Sequence, residues 1–96
     1  MKQRFVLDAW AILAVIQAEE PAASRVRQLL EQAQADHVEL FASMINVGEV
    51  TYIVGRAAGT PQAYKALDYV RSLSLRILSA TDEAVLAAAP NKIEHP

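Results

Sequence analysis

The sequence predicts an α/β fold in which a parallel sheet is covered by helices. Three short apolar segments typical of buried strands alternate with longer segments whose apolar residues recur at helical spacing. Apolar residues make up 53% of the chain and charged residues 21%, which excludes a disordered protein. A chain of 96 residues is long enough for one domain, which we assign to residues 1–96.

The first part of the chain predicts a strand followed by two helices. The strand is expected at 5–7, because three successive apolar residues suit a strand buried on both faces. Asp8 follows it, and a helix is predicted over 9–18 with Trp10 on its apolar stripe. A second helix is predicted over 22–35, after a proline that ends the first one.

The middle of the chain predicts a second strand and two more helices. The strand is expected over 40–45, and Asn46 is predicted to begin a helix that runs through residue 58. Gly59 is a suitable residue to end that helix. Thr60 and Pro61 then predict a further helix, with threonine as its N-cap and proline at its first position.

The remaining residues predict a third strand and a last helix. The strand is expected over 75–78, and Thr81 is predicted to cap a helix that Pro90 ends early. Residues 91–96 are predicted to form a polar end without regular structure. The expected order of elements is therefore β-α-α-β-α-α-β-α.

Charge and composition exclude several classes of protein. Nine basic and eleven acidic residues give a net charge of −2, so any nucleic-acid binding must come from a local site or a metal. The chain has no cysteine, which excludes disulfide scaffolds, cysteine-ligated zinc and a thiol nucleophile. The apolar run over 5–16 contains Asp8 and is shorter than the roughly 20 residues that a membrane span needs. We therefore expect a cytosolic protein without a membrane segment.

Two carboxylates are the candidates for a functional site. Asp8 directly follows the first predicted strand, and Glu49 lies one helical turn after the second. Ligands bind beyond the carboxyl ends of parallel strands, so the two side chains would share one crevice if these strands are neighbours. Two hard oxygen ligands suit Mg²⁺ or Mn²⁺ better than zinc.

Structural interpretations compete with this one. Asp8 could serve only as a helix N-cap, and Asn46 with Glu49 has the spacing of a capping box. Judged by residue spacing alone, the capping roles are favoured over a metal site. The position of Asp8 inside an apolar run favours a functional role, because burying a carboxylate without a partner costs free energy. Ser43 is expected to be a strand residue rather than a nucleophile. Three tyrosines are expected in the core or at an interface: Tyr52, Tyr64 and Tyr69.

Three segments resemble a known family. Residues 5–8 followed by an Ala/Leu-rich helix resemble the start of a PIN domain, and residues 45–52 are similar to the segment that carries the family's second acid. Residues 75–96 fit the middle region of the family. The resemblance spans the chain and is closest to toxin ribonucleases of the VapBC type.

The resemblance implies a fold and a function. The fold would be a PIN-like three-layer α/β/α sandwich with a central parallel sheet, and the protein a Mg²⁺- or Mn²⁺-dependent ribonuclease of toxin–antitoxin type. Asp8 and Glu49 would be the first two catalytic, metal-binding acids, and Asn46 would support them. The implied partners are an RNA substrate, an antitoxin protein and a second copy of the chain, in the cytoplasm.

The resemblance also has a limit at the C-terminal end. Members of the family continue beyond the region that matches His95 and Pro96, and the continuation carries further acids. We therefore expect an incomplete PIN-like domain that is weak or inactive alone and that self-associates. One alternative is a non-catalytic PIN-like module for interaction or dimerisation. A receiver-like α/β domain with Asp8 in an acidic pocket is a further alternative.

Overall fold

The computed structural model describes residues 2–79 and the backbone of residues 91–93. It contains four strands and four helices in these parts of the chain. Their bounds are β1 Gln3–Leu7, α1 Ala9–Ile16, α2 Ala22–Gln34, β2 Val38–Ser43, α3 Met44–Ala58, α4 Thr60–Ser72, β3 Arg76–Leu78 and β4 Asn91–Ile93.

The four strands form one parallel sheet in the order β3-β2-β1-β4. Phe5 of β1 lies opposite Leu40 of β2, and Ser43 of β2 lies opposite Leu78 of β3. The predicted α/β class with a parallel sheet is confirmed. β1 and β2, the strands that the two candidate acids follow, are the two central strands.

Helix α1 lies at the centre of the packing. Six of its eight residues are buried, including Ile12 and Leu13, and it contacts both α2 and α3. A helix that is apolar on nearly all sides is stable only when other elements surround it. Val50 of α3 and Val70 of α4 belong to the same core. None of the helices in the described ranges is both long and apolar enough to cross a membrane.

Several boundaries differ from those predicted. Strand β2 lies two residues earlier than expected, because Ser43 caps α3 and the apolar residues Met44 and Ile45 begin that helix. Helix α4 is preceded by Gly59 as its N-cap, with a φ of 95°, so Thr60 is the first helical residue and not the cap.

The C-terminal part contains a strand where none was predicted. Residues 91–93 pair in parallel with β1, although their polar sequence indicated an irregular end. Backbone pairing with β1 does not depend on the apolar side chains by which strands are recognised. The helix predicted between Thr81 and Pro90 lies outside the described residues.

Candidate active site

Asp8 lies where the central strand β1 turns into α1. The two residues before it, Val6 and Leu7, are buried, and Asp8 itself has extended backbone angles of −84° and 177°. The backbone N–H of Ala11 donates a hydrogen bond of 2.9 Å to Asp8 Oδ1. The prediction that Asp8 caps a helix is therefore confirmed.

Capping uses only part of the Asp8 carboxylate. The side chain is half-buried, and among the described residues Oδ2 has no hydrogen-bond partner. A carboxylate offers about four lone-pair sites, so one oxygen can cap the helix while the other binds an ion. The hydrogen bond to Oδ1 also fixes the orientation of the carboxylate. Capping and metal ligation are therefore compatible roles.

Ser43 marks the corresponding point on β2. It is only 2% exposed, and its Oγ accepts a hydrogen bond of 3.0 Å from the backbone N–H of Asn46. Ser43 is thus the N-cap of α3, so the predicted capping box beginning at Asn46 is wrong. Val6 lies opposite Phe41, and two further residues along each strand place Asp8 beside Ser43. The starts of α1 and α3 are therefore neighbours at one edge of the sheet.

Glu49 is exposed on α3, six residues after Ser43, which is about 9 Å along the helix axis. Asn46 is half-buried and lies three residues before Glu49, so both are on one face of the helix. The adjacency of β1 and β2, on which the convergence of Asp8 and Glu49 depends, is present. Joint binding of one ion by the two carboxylates stays a prediction.

An exposed stripe runs along α3 through Glu49. Ile45, Tyr52 and Arg56 lie on it at spacings of three and four residues, and all are exposed. The Arg56 guanidinium lies 5.8 Å from the centre of the Tyr52 ring and donates a 3.2 Å hydrogen bond to its hydroxyl. A carboxylate, an aromatic ring and a cation therefore follow one another on this face.

The donor set fits a hard divalent cation. Asp8 and Glu49 supply oxygen atoms, and Mg²⁺ typically takes one or two carboxylates together with water and substrate phosphates. The described part of the chain contains no group of three or more His, Asp or Glu side chains that could hold a metal ion. The two carboxylates therefore suit a catalytic ion that keeps coordination positions open for substrate, and they do not suit a structural ion whose ligands all come from the protein.

Sequence patterns missed the exposure of several side chains. Trp10 was expected on the apolar stripe of its helix but is 51% exposed. Tyr52, Tyr64 and Tyr69 are all exposed, which excludes the core; their expected place at an interface stays a prediction. The role of Ser43 as a cap was also missed, although a serine before an apolar helical segment is a recognised start signal.

Comparison with known proteins gives one finding. The sequence profile of the PIN domain matches residues 5–94, a range that includes Asp8, Asn46 and Glu49. No curated protein and no solved structure matches the chain significantly. The match spans nearly the whole sequence and agrees with the parallel sheet and with the acid that follows its first strand. The chain therefore belongs to the PIN domain family.

Proposed function

We propose that this protein is a metal-dependent ribonuclease whose active site is built on Asp8 and Glu49. The observation that carries the proposal is the placement of Asp8. Its carboxylate ends a central strand, is held by the Ala11 N–H and keeps one oxygen without a partner among the described residues. Membership of the PIN family supports nuclease-type chemistry at this position.

Each residue has a distinct part in the proposal. Asp8 and Glu49 hold Mg²⁺ or Mn²⁺, and the bound ion supplies Lewis-acid stabilisation of charge on the phosphodiester and lowers the pKa of a water nucleophile. The Ala11 N–H orients Asp8 through Oδ1. Asn46, three residues before Glu49, supports the ligand from the same helical face. The positive charge of the bound ion would then hold RNA phosphates despite the net charge of −2.

The proposal includes a cellular role. The resemblance to VapBC toxins supports a single PIN-like domain that acts as the toxin of a toxin–antitoxin pair in the cytoplasm. Contacts with an antitoxin protein or with a second copy of the chain are supported by exposed aromatic side chains, Tyr52 on α3 and Tyr69 on α4. Exposed aromatic residues are common at protein interfaces.

Cleavage of RNA with and without metal tests the proposal. The protein, expressed from its whole reading frame, is incubated with a fluorophore–quencher RNA in Mg²⁺, in Mn²⁺ and in EDTA. We expect cleavage only with metal. Asp8→Asn and Glu49→Gln should each lower the rate at least 100-fold, since each removes an anionic ligand. Glu31→Gln changes an exposed carboxylate on α2 and should leave the rate unchanged.

Two results would contradict the proposal. Cleavage that continues in EDTA would exclude a metal-dependent reaction, and an Asp8→Asn protein as fast as its parent would remove Asp8 from the site. Folded protein that cleaves no RNA with either metal, but self-associates in light scattering, would instead favour the non-catalytic interaction module. The exposed tyrosines on α3 and α4 are the observation that supports a non-catalytic interaction module as the alternative.

A further inference from the structure

Trp10 is the only exposed side chain of an otherwise enclosed helix. The other residues of α1 are buried or half-buried, whereas 51% of Trp10 is open to solvent. It lies two residues after Asp8, in the first turn of the helix. Side chains of a helix lean toward its N-terminus, so we expect the indole to lean toward the edge of the sheet where Asp8 lies.

The start of α3 presents a similar surface. Met44 and Ile45 are the first two residues after the cap Ser43, and they are 54% and 57% exposed. Because Ser43 and Asp8 each follow the paired residues Phe41 and Val6 by two positions, we place these side chains at the same edge as Trp10. An apolar surface that includes one large aromatic ring therefore borders the proposed site.

We propose that Trp10 is a substrate-binding residue whose ring stacks on a base of single-stranded RNA next to the phosphate that is cleaved. The inference rests on the proposed nuclease function and adds a residue that binds the substrate beside the ion. Every base has a flat π-face, so stacking on an aromatic ring holds RNA with little dependence on sequence. In a duplex the bases are already stacked and paired, so the ring would have no face to bind.

The position of Trp10 favours RNA over a protein partner. An ion held by Asp8 takes substrate phosphates as further ligands, and the bases attached to those phosphates lie within one nucleotide of the ion. A ring two residues from that ligand is placed to meet such a base. Tyr64, an even more exposed ring on α4, follows the end of α3 that is farthest from this edge.

Fluorescence tests the inference directly, because Trp10 is the only tryptophan of the chain. Wild-type protein in Mg²⁺ is mixed in a stopped-flow instrument with a 12-nucleotide single-stranded RNA, and emission is read before cleavage. We expect quenching by this RNA. A duplex of the same sequence, and an abasic ribose-phosphate oligomer of equal charge, should quench little.

Binding of a labelled RNA, measured by anisotropy, gives the second readout. Stacking of one base predicts that Trp10→Ala weakens binding by about 5- to 150-fold. Trp10→Phe should keep most of the affinity, and the matched control Tyr64→Ala should bind like the parent. The melting temperature of each variant shows whether it is folded.

The possible failures can be distinguished. RNA that binds without quenching, and equally well to Trp10→Ala, overturns the inference but leaves the nuclease proposal to the cleavage assay. A Trp10→Ala protein whose oligomeric state changes while its RNA affinity does not would assign the ring to a protein contact. Quenching and stacking without any cleavage would support the inference and contradict the proposed nuclease. If no RNA binds, the inference is wrong.

Discussion

Replacing Asp8 by asparagine and by alanine separates its two roles. Asparagine keeps a side-chain oxygen for the Ala11 N–H but loses the charge, whereas alanine loses both. Asparagine and aspartate are about equal as N-caps, and replacing an N-cap by alanine costs typically about 1 kcal/mol, within a range of roughly 0.5–2 kcal/mol. No other acid lies in the first turn of α1, so nothing there replaces the lost cap.

These energies give measurable shifts. One kcal/mol changes the melting temperature of a domain of this size by roughly 4–8 °C. We expect Asp8→Ala to lower it by about 5–10 °C and Asp8→Asn by less than about 3 °C. At a Mg²⁺ concentration ten times Kd, binding should add about 1.4 kcal/mol to the wild type, and nothing to either variant.

Circular dichroism melts with and without Mg²⁺, together with RNA cleavage rates, measure all of these quantities. Asp8→Asn should unfold like the parent yet cleave no RNA, which a purely capping residue would not show. If Asp8→Asn retains the Mg²⁺-dependent rise in melting temperature, the residue is not a ligand. If Asp8→Ala is as stable as the parent, the cap seen at Ala11 contributes nothing.

Three further predictions concern stability. Gly48→Ala should stabilise by roughly 0.5–1 kcal/mol in urea unfolding, because Gly48 lies inside α3 with open space around it; a lower midpoint would contradict this. Ala18→Gly should raise the melting temperature slightly, since Ala18 has a φ of 53°; no rise would show that this backbone is unstrained. The Ser24 hydroxyl and N–H donate hydrogen bonds to Glu20 and hold the pKa of its carboxyl below its ordinary value. The ionised carboxylate therefore stabilises the fold at neutral pH, and this stability is lost as the pH falls through the lowered pKa. Melts across pH should show Glu20→Gln less stable at pH 7 and equal to the parent in acid.

The central sheet could be predicted because its strands carry their own signal. Residues 5–7 are all apolar, as a strand covered on both faces requires. The helical spacing of apolar residues between the predicted strands indicated that strands and helices alternate. The order of elements up to residue 78 was correct for the same reason. Strand β4 could not be found, since Asn91–Ile93 is polar and its only described partner is the backbone of a strand far away in the sequence.

At the site, sequence patterns found the acid but not its surroundings. Asp8 was identifiable because a carboxylate inside an apolar run is unusual. Ile45 was assigned to β2 because it is apolar, yet it is 57% exposed at the start of α3. Trp10 was assigned to a buried stripe for the same reason. Hydrophobic periodicity shows which side of a helix faces the core, but not that single apolar side chains of the first turn, such as Trp10 beside the buried Ala9 and Ala11, are exposed.

The central position of β1 has a consequence for how the site responds to heat. Both edges of β1 are hydrogen-bonded, to β2 and to β4, and its last two residues are buried. Amide groups in such a strand exchange with solvent only when the whole domain opens, whereas short edge strands such as β3 open by themselves. Asp8 is attached to a strand that is paired on both edges, so local fraying at the edges leaves its carboxylate in position. Ion binding should therefore persist up to the temperature of global unfolding.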